Sequence, residues 1–98
     1  MKTINVTELK KMISDKEDFS LIDVREENEF EADNIYGTLI PLCEIPSRMN
    51  EIPKDKKVIV HCRSGVRSAN AIHFLEQNGY ENLHNLEGGI LAWNQANN

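Results

Sequence analysis

Val58-Ile59-Val60-His61-Cys62-Arg63-Ser64-Gly65-Val66-Arg67-Ser68 opens as an apolar run and closes as the start of a helix. Val58, Ile59 and Val60 are β-branched and continuous, the pattern of a buried strand, and they lead directly into Cys62. A short polar loop with one glycine and two arginines follows, after which Ala69, Ile72 and Leu75 recur at helical spacing. The segment therefore reads as a strand ending in a thiol, a turn over that thiol, and a helix whose N-terminus points back at it. Amide N–H groups left unpaired at a helix start, together with the helix dipole, favour negative charge there. A thiolate in that place has a lowered pKa, and Arg63 and Arg67 push the same way. Cys62 is the candidate sulfur nucleophile.

Outward from this unit, strands and helices alternate along the whole chain. Residues 3–6 are an alternating strand, and Thr7 is the expected N-cap of a helix through residue 13 with Leu9, Met12 and Ile13 on one face. A charged turn precedes a buried strand over residues 19–24. Residues 26–31 form a short acidic helix with Phe30 turned inward, and residues 38–40 a brief strand stopped by Pro41. Ile45, Met49 and Ile52 mark a helix over residues 44–52, with Pro46 suited to its first turn. The helix after the Cys62 loop runs to about Asn78 and stops at Gly79. Residues 82–86 are the last strand. Gly88-Gly89 opens a final helix that packs Ile90, Leu91 and Trp93, and residues 94–98 are expected to fray. This order predicts an α/β fold: a central, mostly parallel five-stranded sheet with helices on both faces. Ligands of such sheets sit beyond the carboxyl ends of the strands, where Cys62 falls.

Composition narrows the function. The 98 residues are expected to form one domain, residues 1–98, with a modest core. A hydrophobic share of 40% and a charged share of 28% are those of an ordinary soluble protein. A net charge of -5 speaks against nucleic acid or an anionic membrane as a partner. The acid is concentrated in Glu26, Glu27, Glu29, Glu31 and Asp33, most simply a solvated helix face, while the Cys62 loop carries two arginines. That loop is locally positive, which suits a small anionic substrate. The two cysteines, Cys43 and Cys62, have neither Cys-x-x-Cys nor zinc-site spacing, so no metal is expected. Charged Lys2, Glu8, Lys10, Lys11 and Asp15 leave no apolar leader segment, and no run approaches a membrane span of roughly eighteen residues. A reduced, cytoplasmic protein is the expectation.

Four segments together resemble a known family. They are Leu21-Ile22-Asp23-Val24-Arg25-Glu26, then Gly37 followed by Ile40-Pro41-Leu42, then His61 through Ser68, and finally Leu86-Glu87-Gly88-Gly89-Ile90-Leu91-Ala92-Trp93. In this order, and spanning nearly the whole chain, they resemble a single-domain rhodanese. The resemblance implies a sulfurtransferase without cofactor. Cys62 would take a sulfane sulfur from a small anionic donor (thiosulfate, a polysulfide or another persulfide) and hold it as a persulfide. It would then pass the sulfur to a thiol or to cyanide, and a protein partner in a sulfur relay is compatible with this. Arg63, Ser64, Gly65, Val66 and Arg67 would form the substrate-binding loop. Arg63 is the better placed contact for an anionic donor, and Arg67 could do the same or brace the loop. Gly65 supplies a positive φ if the curl requires one.

Blander readings stand beside these. Asp23 and Arg25 end a strand on the side of the site and more simply form a supporting salt bridge than take part in chemistry. Cys43 is more simply a packed small residue than a second sulfur carrier. His61 should point away from Cys62 in an extended strand, His73 and His84 lack partners in sequence, and Trp93 is most simply core. Two other function classes compete. Cysteine phosphatases and arsenate reductases look similar around the cysteine, but place arginine six positions after it, where this chain has Ser68 and the arginine falls one earlier. A tighter ring suits one sulfur better than a phosphate. A non-catalytic rhodanese-like docking module usually lacks the cysteine that is present here.

Overall fold

The computed structural model describes residues 1–97. Five strands, β1 (Thr3–Ile4), β2 (Phe19–Asp23), β3 (Thr38–Leu39), β4 (Lys57–His61) and β5 (Leu83–Leu86), form one sheet in the order β1-β5-β4-β2-β3. Every neighbouring pair is parallel, so the sheet is wholly rather than mostly parallel. The β-branched run of β4 lies at its centre, between β5 and β2. Buried on both faces, this strand carries no polar alternation, as its composition requires.

Helices cover the two faces separately. On one, α4 (Val66–Gln77) presents Ala71, Ile72 and Leu75 to Val58, Val60 and Cys62, with Ile45, Ile52 and Tyr80 completing the layer. On the other, Leu9 and Met12 of α1 (Val6–Ser14) and Ile90 of α5 (Gly89–Ala96) pack on Ile59 and Leu86. Trp93 is half-buried at the margin of this second layer rather than at its centre. Residues 58–62 thus alternate between the layers, and Cys62 faces α4. Truncating an aliphatic side chain in either layer to alanine would cost about 2–5 kcal/mol. Among the described residues no helix is long and apolar enough to cross a membrane.

Several boundaries differ from the sequence expectation for physical reasons. The cap of α1 is Asn5, not Thr7: Asn5 Oδ1 accepts the Glu8 amide at 2.8 Å while Glu8 Oε1 accepts the Asn5 amide at 3.2 Å. This reciprocal box starts the helix early and shortens β1 to two residues. Ile13, expected on the inner face, is exposed. The helix expected over residues 44–52 is broken into a 3₁₀ turn (Leu42–Glu44), α3 (Ile45–Arg48) and a second 3₁₀ turn (Met49–Glu51). Its last carbonyls face the Tyr80 hydroxyl, which lies within hydrogen-bond reach of Met49 O and Ile52 O. The acidic helix α2 spans Glu27–Ala32. The tail is helical through Ala96, and Asn94 donates to Asp33 at 2.8 Å. Of the residues expected to fray, Asn98 lies outside the described residues.

Candidate active site

Beyond the last residue of β4 the backbone curls under itself, and Cys62 sits at the bottom of the curl with 1% of its surface exposed. The Gly65 amide donates to Cys62 Sγ at 3.1 Å and the Ser68 amide at 3.4 Å, while Ser68 Oγ lies 3.3 Å from the same sulfur. The curl needs φ +117° at Gly65, which also caps α4, and a side chain there would be strained.

The N–H groups point inward because the carbonyls are held outward by another helix. At the start of α5, the Ile90 amide donates to Cys62 O at 2.9 Å and the Leu91 amide to Arg63 O at 3.2 Å. That approach is possible only because position 89 is glycine. A Cβ there would lie 2.5 Å from the carbonyl oxygens of both Cys62 and Arg63. The Gly88-Gly89 pair is therefore part of the site. It lets one helix N-terminus fix the backbone whose amides then serve the sulfur.

Electrostatics follow from this geometry. Burial pushes the Cys62 thiol up, but hydrogen bonds from Ser68 and from the amides of Ser68, Gly65 and Ser64 outweigh it and leave the thiol below an ordinary cysteine. His61 is fully buried on the opposite side of the strand, its Nε2 3.7 Å from Asp23 Oδ2. Burial holds that imidazole neutral, below its usual range.

The candidate residues divide into two groups. Ser64 and Gly65 form the cradle around the sulfur. Val66 stands on the rim, with an exposed side chain. The Arg63 side chain is also exposed, and has no hydrogen-bond partner among the described residues. Arg67, expected at the substrate or as a brace, is paired with an acidic side chain of α2. Its Nη1 and Nη2 donate to Glu29 Oε1 and Oε2 at 2.7 and 2.9 Å. The guanidinium holds the Glu29 carboxyl down at about 2.

Asp23 and Arg25 form a buried ion pair. Arg25 Nη2 donates to Asp23 Oδ2 at 2.8 Å and Nε to Oδ1 at 3.0 Å, while Nη2 also reaches the Asp33 carbonyl at 2.8 Å. This pair clamps the end of α2, and α2 in turn presents Glu29 to Arg67. Cys43 lies exposed in the first 3₁₀ turn. His73 is exposed on α4 and His84 half-buried on β5. Among the described residues no three His, Cys, Asp or Glu side chains gather as metal ligands would.

Three contributors escaped the sequence reading. Glu29 was absorbed into an acidic run that looked like a solvated face. Ser68 was legible only as the place where a phosphatase arginine is missing. Asn85, whose Oδ1 lies 2.6 Å from Ser68 Oγ and whose Nδ2 donates to Gly65 O at 3.1 Å, carried no local signal.

The chain is similar to proteins named as sulfurtransferases and rhodanese-like domains. The chain is 44% identical over 91 residues to a sulfurtransferase of Allochromatium vinosum, covering 92% of this chain and 85% of that one. It is 32% identical over 83 residues to a thiosulfate sulfurtransferase of Pseudoalteromonas translucida, covering 84% and 79%. The crystal structure of a rhodanese-like domain protein from Staphylococcus aureus superposes with a TM-score of 0.88 at 35% identity, covering 95% of this chain and 91% of that one. The family model described as a rhodanese-like domain matches residues 5–96. The parallel α/β architecture is thus shared with that solved structure, and the chain belongs to the rhodanese-like family.

Proposed function

We propose that this protein is a sulfurtransferase that carries a sulfane sulfur on Cys62 as a persulfide. The observation that carries the reading is the pair of amides, Gly65 and Ser68, directed at one buried sulfur whose neighbouring carbonyls are turned away. Such a cradle stabilises a negative sulfur before any solvent rearranges.

With thiosulfate as donor, the Cys62 thiolate attacks the outer sulfur. A new S–S bond forms, the S–S bond of thiosulfate breaks, and sulfite leaves with the bonding electrons. The charge now rests on the outer sulfur of Cys62–S–S⁻, in reach of the loop amides. An incoming thiolate or cyanide attacks that outer sulfur and Cys62 departs again as thiolate. A polysulfide or another persulfide serves equally as donor, its shortened chain leaving as the anion. Arg63, an exposed cation on the loop, meets the anionic donor. Arg67, tied to Glu29, holds the start of α4 in place. Ser64 supplies an amide, Val66 the rim, and the Asp23–Arg25 pair supports α2.

Mass spectrometry of the intact protein after exposure to thiosulfate or polysulfide is the test. We expect a gain of one sulfur, lost on adding cyanide or a thiol, and absent in Cys62→Ser. An unchanged mass with every sulfane donor, together with hydrolysis of an aryl phosphate, would replace this reading by a phosphatase. An unchanged mass with no hydrolysis would leave a docking module.

A further inference from the structure

We propose that Asn85 is a positioning residue which, through the single hydroxyl proton of Ser68, biases Cys62 toward its protonated form as long as it carries no sulfur. The inference rests on the geometry of a chain of three buried side chains. Ser68 is fully buried and Asn85 nearly so, and the Ser68 hydroxyl lies between Cys62 Sγ at 3.3 Å and Asn85 Oδ1 at 2.6 Å.

The orientation of the Asn85 amide is set by its other end. Gly65 O can only accept, so the Asn85 Nδ2 group faces it, and Oδ1 necessarily faces Ser68. Oδ1 can only accept as well. The serine has one proton and two neighbours that want it, the amide oxygen and an ionised sulfur.

With Cys62 as a thiol, every group is satisfied. The S–H donates to Ser68 Oγ, Ser68 donates to Asn85 Oδ1, and Asn85 donates to Gly65 O. When the thiol proton passes to water, the chain is frustrated. If the hydroxyl stays on Asn85, its lone pairs face the thiolate. If it turns to the thiolate, a buried amide oxygen loses its donor, which is costly in a dry site. Of the hydrogen bonds that favour the thiolate, the hydroxyl's is therefore conditional, while those from the Gly65 and Ser68 amides are permanent. In the persulfide the charge moves to the outer sulfur, Sγ carries no proton, and the hydroxyl returns to Asn85. The relay thus disfavours only the unloaded thiolate.

Other charged groups around the sulfur are Arg63 on the loop, Arg67 with Glu29 on α4 and α2, and Asp23, Arg25 and His61 at the strand ends. Among the described residues none of their side chains hydrogen-bonds to the Ser68 or Asn85 side chain, whose partners are Cys62, each other, Gly65 O and Met1 Sδ.

The inference depends on Cys62 being the reacting sulfur. Its readout, the titration of the thiol, needs no sulfur donor, so a failure of transfer and a failure of the relay are distinguishable. The experiment measures the pH of half-maximal iodoacetamide alkylation at Cys62 in the full chain, in four forms: unaltered, Asn85→Leu, Ser68→Ala, and both. We expect Asn85→Leu to move the midpoint down by about one pH unit, the worth of one hydrogen bond. In the Ser68→Ala background the same change should move it by less than a third of that. Asn85→Ser, which also cannot reach Ser68 and keeps a small polar group, repeats the test if the leucine form does not fold. No shift, an upward shift, or an equal shift in both backgrounds would overturn the relay, the last because Asn85 would then act only by holding Gly65 O.

Discussion

Cys43 and Cys62 both follow a parallel strand at its carboxyl end, and both precede a helix. After β3 the chain turns through Pro41 into the 3₁₀ turn that holds Cys43 and then into α3, four residues long. After β4 it turns through Gly65 into α4, twelve residues long. At Cys43 the neighbouring amides are spent on backbone carbonyls, with Leu42 N–H donating to Val24 O at 3.0 Å and Glu44 N–H to Pro41 O at 2.8 Å, and the side chain is exposed. At Cys62 the positive φ of Gly65 turns amides onto the sulfur, and α5 takes the carbonyls that would otherwise compete for the space. A strand, a cysteine and a helix are thus not enough. What distinguishes the two regions is the direction of the backbone N–H groups, which residues remote in sequence decide.

The strongest way to break that difference is to remove what the Cys62 side stands on. Asp23→Ala takes from buried Arg25 its buried carboxylate and leaves only the half-exposed Asp33 at 3.3 Å, and a loss of roughly 3–5 kcal/mol is expected in urea denaturation. Next is the close approach of α5. Gly89→Ala places a methyl against both loop carbonyls at a position with φ +56°. It should cost about 1–3 kcal/mol from backbone strain, and sulfur uptake should fall by more than that loss of folded protein accounts for.

A smaller, pH-dependent effect comes from Glu29. Its carboxyl is held near 2, below the ordinary value of about 4.3, so the bond to Arg67 contributes fully above that ordinary value and is lost as pH falls toward 2. Both side chains are partly exposed, which limits the pair to about 1 kcal/mol or less. Between about pH 5 and 2, thermal stability of the unaltered protein should fall more steeply than that of Glu29→Gln. The smallest effect is expected at the other cysteine: Cys43→Ser should stay within about 0.5 kcal/mol and keep full sulfur uptake.

Much of this was readable in the chain itself. The β-branched run of β4, the helical spacing after it and the glycine between them are local signals, and they put Cys62 at the carboxyl end of a buried strand, facing a helix start. Asn5 was missed as a cap because it sits inside an alternating segment that also reads as strand. The break in the helix after Cys43 depends on a hydroxyl that arrives from Tyr80. Glu29 meets Arg67 across 38 positions, and Asn85 meets Ser68 across 17. Such pairings are properties of the sheet order, which no periodicity encodes.

The claim on which the rest depends is that the folded loop favours the ionised form of Cys62. Alkylation of Cys62 by iodoacetamide, followed against pH by mass of the peptide that contains it, tests this in native and in urea-unfolded protein. A native midpoint clearly below the ordinary thiol value of about 8.5, returning to that value on unfolding, is the predicted result. A native midpoint equal to the unfolded one, or above it, would contradict the account.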